Sequence, residues 1–188
     1  MKNICVFAGA SSGNNKNYTN TAIKLGEIIA QNNLNLIYGG GKIGMMGEVA
    51  SSCLMNGGHV VGIIPKIFIN YKFEVAHESL SELIITENMH ERKKLMYDKS
   101  DCFCVLPGGL GTLDELMEVL TWTQIGILSK NVYIINVDNY WNPLITLINN
   151  IVKNNFMDKN NLNNFKLINS EIELKNIFKK NNETTNLA

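Results

Sequence analysis

The chain has 188 residues, of which 45% are hydrophobic and 8% aromatic, so it is long enough to bury a substantial core within one domain. Its 17 basic and 17 acidic side chains balance, and the absence of a long basic stripe argues against nucleic-acid binding. Residues 1–8 form an apolar run too short for a signal peptide or a membrane span, so we expect a cytoplasmic protein with no membrane partner.

Short apolar runs alternate along the chain with segments of helical periodicity. Strands are predicted at residues 4–7, 34–38, 59–64, 83–86, 102–106, 132–137 and 165–168. Helices are predicted at residues 17–32, 47–56, 88–99, 141–153 and 170–180, and directly after the strand at 102–106. This alternation is typical of a parallel sheet with helices on both faces, so we predict one α/β domain over residues 1–180 and a polar tail over residues 181–188.

Three glycine-rich turns directly follow predicted strands, after Phe7, Tyr38 and Leu106. The second, residues 39–47, satisfies neither the P-loop nor the dinucleotide fingerprint. Its position is more informative, because open α/β sheets bind ligands at the carboxyl ends of their strands. We therefore expect the three turns to share one pocket.

The third turn, residues 107–112, leads from a buried strand into a helix. Its glycines let a ligand approach the backbone, and the first amides of a helix favour a phosphate. Asp114 and Glu115 follow at once, where a phosphate alone would want no carboxylate. We expect this segment to bind a phosphate and also to present an acid or base. The alternative is a turn whose glycines only let the helix pack closely on the sheet.

The predicted helix at residues 88–99 places Arg92 on the same face as apolar residues such as Met89 and Met96. An arginine on the packed side of a helix normally needs an anionic partner, and Glu115, a phosphate or both could serve. The alternative is that residues 92–94 form a solvated basic face.

The four cysteines, at positions 5, 53, 102 and 104, lie mostly in apolar surroundings and lack the spacing of metal ligands. Cys102 and Cys104 would point to one face of a strand, but such a pair is poor evidence for zinc or a disulfide. We expect buried, reduced thiols, as in a cytoplasmic protein.

These residues resemble the Lonely Guy (LOG) family of cytokinin riboside 5′-monophosphate phosphoribohydrolases, whose members are often labelled lysine decarboxylases. Residues 107–115 match the family's PGGxGTxxE signature, and Arg92 with Lys93 matches its Arg-Lys pair. The resemblance covers roughly residues 4–157 and leaves mainly the Asn-rich end without support.

The resemblance implies a Rossmann-like homodimer that hydrolyses the N-glycosidic bond of an adenine-type nucleoside 5′-monophosphate. The products would be the free base and ribose 5-phosphate, and no metal or cofactor is implied. The family's catalytic pair falls on Arg92 and Glu115. The implied substrate-binding residues are Glu74, Lys93, Gly108, Gly109, Gly111, Thr112, Asp114 and Thr121.

The implied chemistry suits the catalytic pair. Breaking the bond builds positive charge on the sugar, which a carboxylate such as Glu115 would stabilise while it orients or deprotonates the attacking water. Arg92 would hold Glu115 and the nucleotide in place. Two departures from the family stand out: Ala10 occupies a position where relatives often have serine, and Asp114 replaces the more usual glutamate.

A nucleotide-binding carrier or sensor of the same fold, without hydrolase activity, is the alternative function. The retained Arg92 and Glu115 argue against it, because phosphate binding alone needs no carboxylate. A lysine decarboxylase using pyridoxal phosphate is disfavoured, since Lys42 and Lys93 have no accompanying cofactor pattern. The sequence leaves open whether the substrate is AMP or AMP with a prenyl group on its exocyclic nitrogen (prenyl-AMP).

The helix after the phosphate turn supplies candidates for the dimer contact. Met117, Trp122 and Ile125 offer more apolar surface than one face of a sheet readily buries. Ordinary core packing is the alternative explanation for each of them.

Overall fold

Strands and helices alternate along the chain, as the sequence predicts. The computed structural model describes residues 1–69, 77 and 79–185. The strands are β1 (Asn3–Phe7), β2 (Asn35–Tyr38), β3 (His59–Pro65), β4 (Glu82–Thr86), β5 (Cys102–Val105), β6 (Asn131–Ile135) and β7 (Lys166–Ile168). The α-helices are α1 (Lys16–Gln31), α2 (Gly44–Met55), α3 (Lys66–Ile69), α4 (Met89–Lys99), α5 (Leu110–Gln124), α6 (Asn142–Lys153) and α7 (Glu171–Thr185).

The strands form one parallel sheet in the order β4-β3-β2-β1-β5-β6-β7. The central strand β1 pairs with β2 on one side and with β5, from the second half of the chain, on the other. The direction of winding reverses between β1 and β5, which confirms the Rossmann-like, doubly wound α/β fold. Such a reversal opens a crevice beyond the carboxyl ends of the two strands, where ligands bind.

The sheet is buried on both faces because successive side chains of a strand point to opposite sides. In β1, Ile4 and Val6 pack against the layer that contains α1, α2 and α7. Cys5 and Phe7 pack against the layer that contains α4, α5 and α6. Each helix layer therefore rests on the central strands, and the helices that follow β1 and β5 begin at the same edge of the sheet.

Three boundaries differ by two residues or more from those predicted. Helix α2 begins at Gly44 rather than at residue 47, since the N–H of Gly47 already donates to the carbonyl of Ile43; Gly44 has a φ of 64° and lies directly against the backbone of Ala10. Strand β6 ends at Ile135, where the chain turns into a short 3-10 helix with Asp138 at a φ of 48°. Helix α7 continues past residue 180 to Thr185.

The four cysteines are buried and carry free thiols, which agrees with the expectation from sequence. Burial raises the pKa of Cys53 to about 11. Burial also raises the pKa of Cys5, to which the charge of Glu115 contributes. The thiols of Cys5 and Cys53 therefore stay protonated at neutral pH, and all four cysteines serve as small core side chains.

Candidate active site

The glycine turns meet in one cavity of about 460 Å³ at the carboxyl ends of the central strands. The first turn contributes residues 8–13, the second contributes Met45 and Met46, and the third contributes residues 107–109, 111 and 112. Arg92 and Glu115 line the same cavity. The prediction of one pocket shared by three turns is confirmed.

Backbone hydrogen bonds join the first turn to the other two. The N–H of Gly9 donates to the carbonyl of Pro107 over 3.1 Å, and the N–H of Met46 donates to the carbonyl of Gly9 over 3.2 Å. From outside the turns, the hydroxyl of Tyr140 donates to the carbonyl of Gly108 over 2.6 Å. The three turns are therefore joined into one continuous surface at the base of the cavity and are not independent loops.

The first turn of α5 is open to the cavity. Gly109 caps the helix without a side-chain hydrogen bond among the described residues, and its φ of −92° is one that any residue adopts. A Cβ atom added at Gly109 or Gly111 would meet no described atom within 4 Å. Neither backbone conformation nor internal packing requires a glycine there. The space is left for something outside the chain, beside helix amides that favour an anion.

Arg92 and Glu115 form a buried ion pair across α4 and α5. Arg92 is 5% exposed and Glu115 is 7% exposed, and Nη1 of the arginine lies 3.1 Å from Oε1 of the glutamate. The same guanidinium donates from Nε to the carbonyl of Ile63 over 3.0 Å and from Nη2 to the carbonyl of Gly39 over 3.2 Å. The expected anionic partner of Arg92 is thus Glu115. The alternative of a solvated basic face is wrong for Arg92 and holds only for Lys94, which is exposed.

The glycine at position 39 makes room for this arginine. A Cβ atom there would overlap Nη2 of Arg92. Part of the second glycine turn is therefore shaped by a protein side chain and not by a ligand, which the sequence pattern did not reveal. The sequence does contain one signal that singles out this group: Arg92 is the only arginine among the 17 basic residues.

The structure separates the predicted site residues into two groups. Gly108, Gly109, Gly111 and Thr112 line the cavity together with Arg92 and Glu115. Lys93, Asp114 and Thr121 are not among the described residues that line it; Thr121 is exposed on α5 and donates to the carbonyl of Met117. Glu74 lies outside the described residues.

The cavity also has walls that the sequence did not identify. Its apolar members come from three helices and are Met45, Met46, Phe68 and Met89. The rings of Tyr18 and Tyr140 meet edge to face with centroids 5.5 Å apart and line another part. Ala10 contributes a methyl group where relatives often carry a hydroxyl, with Ser11 and Ser12 beside it. Within the described residues, no cluster of three or more His, Cys, Asp or Glu side chains is placed to hold a metal ion.

The two kinds of glycine predict opposite effects on stability. Gly39→Ala should lower the Tm by several degrees, because the new methyl overlaps Arg92 and overpacking costs about 1–3 kcal/mol. Gly111→Ala is the control: its methyl enters open space, and alanine favours a helix over glycine by about 1 kcal/mol, so its Tm should be unchanged or higher. Thermal unfolding of the two variants checks this, and an equal loss in both would contradict the assignment.

A family model described as possible lysine decarboxylase matches residues 46–177 of the chain. The chain is 46% identical over 157 residues to cytokinin riboside 5′-monophosphate phosphoribohydrolase LOG5 of Arabidopsis thaliana, an alignment that covers 84% of this chain and 68% of that protein. It is 44% identical over 157 residues to LOG1 of the same plant, which bears the same name, with coverage of 84% and 73%.

Two solved structures share the fold. The molybdenum cofactor carrier protein of Chlamydomonas reinhardtii superposes with a TM-score of 0.71 at 18% identity, over 96% of this chain and 97% of that one. The molybdenum cofactor binding protein of Rippkaea orientalis gives a TM-score of 0.68 at 21% identity, with the same coverage. At such identities the likeness concerns the fold alone.

Proposed function

The chain belongs to the LOG family of cytokinin riboside 5′-monophosphate phosphoribohydrolases, and we propose that it catalyses the reaction for which these relatives are named. The substrate is then a cytokinin-type nucleoside 5′-monophosphate, and the products are the free base and ribose 5-phosphate. One observation carries the proposal: a buried arginine–glutamate pair lies in the same cavity as an open helix N-terminus.

The phosphate is proposed to bind at the start of α5. The amides of Gly109, Gly111 and Thr112 lie where the helix dipole favours negative charge, and the two glycines leave room for phosphate oxygens. Gly108 is held by Tyr140, which keeps the turn in position. Binding the phosphate here directs the ribose along α5 towards Glu115, which follows Thr112 by about one helical turn.

Glu115 is proposed to act on the sugar. As the glycosidic bond breaks, its electron pair leaves with the base, and the positive charge that develops on the ribose is stabilised by the carboxylate. Water then bonds to the anomeric carbon and one of its protons passes to Glu115. Glu115 releases that proton to solvent, and the departing base takes one proton from solvent, so the carboxylate is restored. A guanidinium remains protonated in proteins, so Arg92 orients Glu115 and does not donate the proton. These steps use no metal or cofactor.

The base is proposed to carry an apolar substituent. Met45, Met46 and Met89 give the cavity a wall of flexible thioether side chains, and Phe68 adds an aromatic ring. Burying a prenyl group against such a wall makes the free energy of binding more favourable by roughly 25 cal/mol per Å² of apolar surface. We therefore propose that prenyl-AMP is preferred over AMP.

The reaction is tested by incubating the purified chain with AMP, prenyl-AMP and the other common nucleoside monophosphates, and by measuring the free base and ribose 5-phosphate. We expect the highest kcat/KM with prenyl-AMP. Glu115→Gln and Arg92→Ala should abolish turnover. Arg92→Lys keeps the charge but cannot reach Glu115, Ile63 and Gly39 at once, so it should also fail. Nucleotide binding by the wild-type chain without base release from any substrate would favour a carrier instead.

The position of the phosphate is tested with Gly111→Ala, the substitution that should not disturb the fold. Gly111→Ala places a methyl group in the proposed phosphate space, so we expect KM for the nucleotide to rise at least tenfold, about 1.4 kcal/mol, while the Tm is retained. An unchanged KM would place the phosphate elsewhere in the cavity. The corresponding nucleoside, which lacks the phosphate, serves as the substrate control.

A homodimer is proposed on the outer face of α5 and α6. A shallow groove there is lined mainly by apolar residues, including Met117, Ile148 and Phe156, and Thr121 lies at its edge. Phe156 is 84% exposed, and Ile125, which follows the groove residue Gln124, is 61% exposed. Trp122, the third predicted contact, is half-buried against Tyr97. Apolar groups exposed in this way favour a second copy of the chain.

Sedimentation at micromolar concentration should therefore show a dimer. Phe156→Ser should shift the equilibrium towards monomer, because it removes the most exposed aromatic ring from the groove. Ile172→Ser is the matched control, since Ile172 is 71% exposed on α7, away from the groove residues. A wild-type monomer, or an equal effect of both substitutions, would contradict this contact.

Within the stretch of chain that the structure describes, no helix has both the length and the apolar character needed to cross a bilayer. We propose a cytoplasmic location, which the four buried free thiols support. The balanced charge supports a small-molecule substrate, with neither nucleic acid nor a membrane surface as a partner.

A further inference from the structure

A second set of charged side chains connects α4 and α5 beside the catalytic pair. Lys93 is 7% exposed, and its Nζ lies 3.0 Å from Oδ2 of Asp114 and 2.9 Å from Oε2 of Glu118. None of these three is among the described residues that line the cavity. The ammonium group of Lys93 is therefore engaged by two carboxylates of the protein.

Tyr97 holds Glu118 in place within this set of side chains. Its hydroxyl donates to Oε2 of Glu118 over 2.7 Å, and its ring is fully buried. The ring meets Phe7, Phe103 and Trp122 edge to face, with centroids 6.0, 5.8 and 5.4 Å away. Burial, then the bond to Glu118, raises the pKa of Tyr97 far above its usual value, so the phenol keeps its proton and remains a donor.

The ammonium group of Lys93 also keeps its proton. Burial alone would lower the pKa of this ammonium, but the hydrogen bonds and charges of Glu118 and Asp114 outweigh it and raise the pKa. Lys93, Glu118 and Tyr97, called here the helix bridge, thus connect α4 to α5 through hydrogen bonds and an ion pair.

The helix bridge and the catalytic pair both join α4 to α5, at neighbouring positions along the two helices. Arg92 and Lys93 are consecutive on α4, so their side chains diverge by about 100° around the helix. On α5, Asp114 and Glu118 flank Glu115 within one turn. Both connections therefore join α4 to the part of α5 that carries Glu115.

We propose that the helix bridge positions Arg92 and Glu115 for catalysis, and that Lys93 acts through it and not on the substrate. This inference rests on the hydrolysis proposed above. Lys93, Glu118 and Tyr97 are positioning residues in this account, whereas the family resemblance alone implies that Lys93 contacts the substrate.

The two roles predict different kinetics. The N–H groups proposed to bind the phosphate belong to the backbone of the first turn of α5. Loss of the helix bridge should therefore leave the affinity for the nucleotide nearly intact. The carboxylate of Glu115 lies further along the helix, where a small rotation displaces it from the sugar. A misplacement of about 1 Å is enough to cost up to 100-fold in rate. A lysine that bound the substrate itself would mainly raise KM.

The test is to measure kcat and KM for prenyl-AMP in Lys93→Met, with Lys94→Met as the matched control. Lys94 is the next residue on α4 and pairs with Asp98, but it is exposed. We expect Lys93→Met to lower kcat roughly 10- to 100-fold with KM within about twofold of wild type, and Lys94→Met to change neither. Lys93→Arg, which keeps the charge, should recover most of kcat.

Glu118→Gln is a second test of the helix bridge, for use if Lys93→Met is unstable. It preserves the size of the side chain, so we expect this variant to remain folded. It should lower kcat in the same way. The double variant Lys93→Met/Glu118→Gln should be no slower than Lys93→Met, because both substitutions break one connection. Binding of ribose 5-phosphate, which reports the phosphate site, should be retained in all of them.

A raised KM with normal kcat in Lys93→Met would overturn the proposal and make Lys93 a substrate contact. Normal kcat in both Lys93→Met and Glu118→Gln would also overturn it, and would leave the helix bridge with a role in stability only. Failure of the wild-type chain to release any base would instead contradict the proposed hydrolysis, and the positioning role would fall with it.

Discussion

The buried pair of Arg92 and Glu115 is the interaction on which the rest of the site depends. Taking two charges out of water costs several kcal/mol each, and breaking such a pair typically costs about 3–5 kcal/mol. The protein offsets this with two further acceptors for the guanidinium, the carbonyls of Ile63 and Gly39. Those carbonyls come from the ends of β3 and β2, so one side chain of α4 ties together two strands and α5. A lysine has no planar set of donors to do this.

The glycines around this pair perform different tasks, although they look alike in sequence. Gly39 gives Arg92 its space, and Gly44 lets α2 begin against the backbone of Ala10. A Cβ atom added at Gly109 or Gly111 would meet no described atom within 4 Å, so the space beside them is open to a ligand. This division supports the proposal that the anion binds at the start of α5 and that the chemistry takes place at the turn that follows, along a single helix. The sheet supports the arrangement because β1 and β5 end side by side at the reversal of winding.

Much of this could be predicted from the sequence because it rests on local patterns. Alternating apolar runs and helical periodicity indicated the doubly wound sheet, and an arginine on an apolar helix face indicated an anionic partner. The contacts of Gly39 with Arg92, of Tyr140 with Gly108 and of Lys93 with Glu118 could not be predicted. Each joins residues far apart in the chain, and no local period encodes such a pair. The early start of α2 was missed because residues 39–47 were interpreted as one glycine-rich turn, with the helix beginning at its last glycine.

The central claim is that one helix binds the phosphate with its first amides and presents a carboxylate to the sugar one turn later. A crystal structure of the Glu115→Gln variant with prenyl-AMP tests it most directly. We expect phosphate oxygens on the amides of Gly109, Gly111 and Thr112, and the anomeric carbon within about 3.5 Å of the side chain at position 115. A phosphate bound elsewhere, or an anomeric carbon beyond the reach of that side chain, would contradict it.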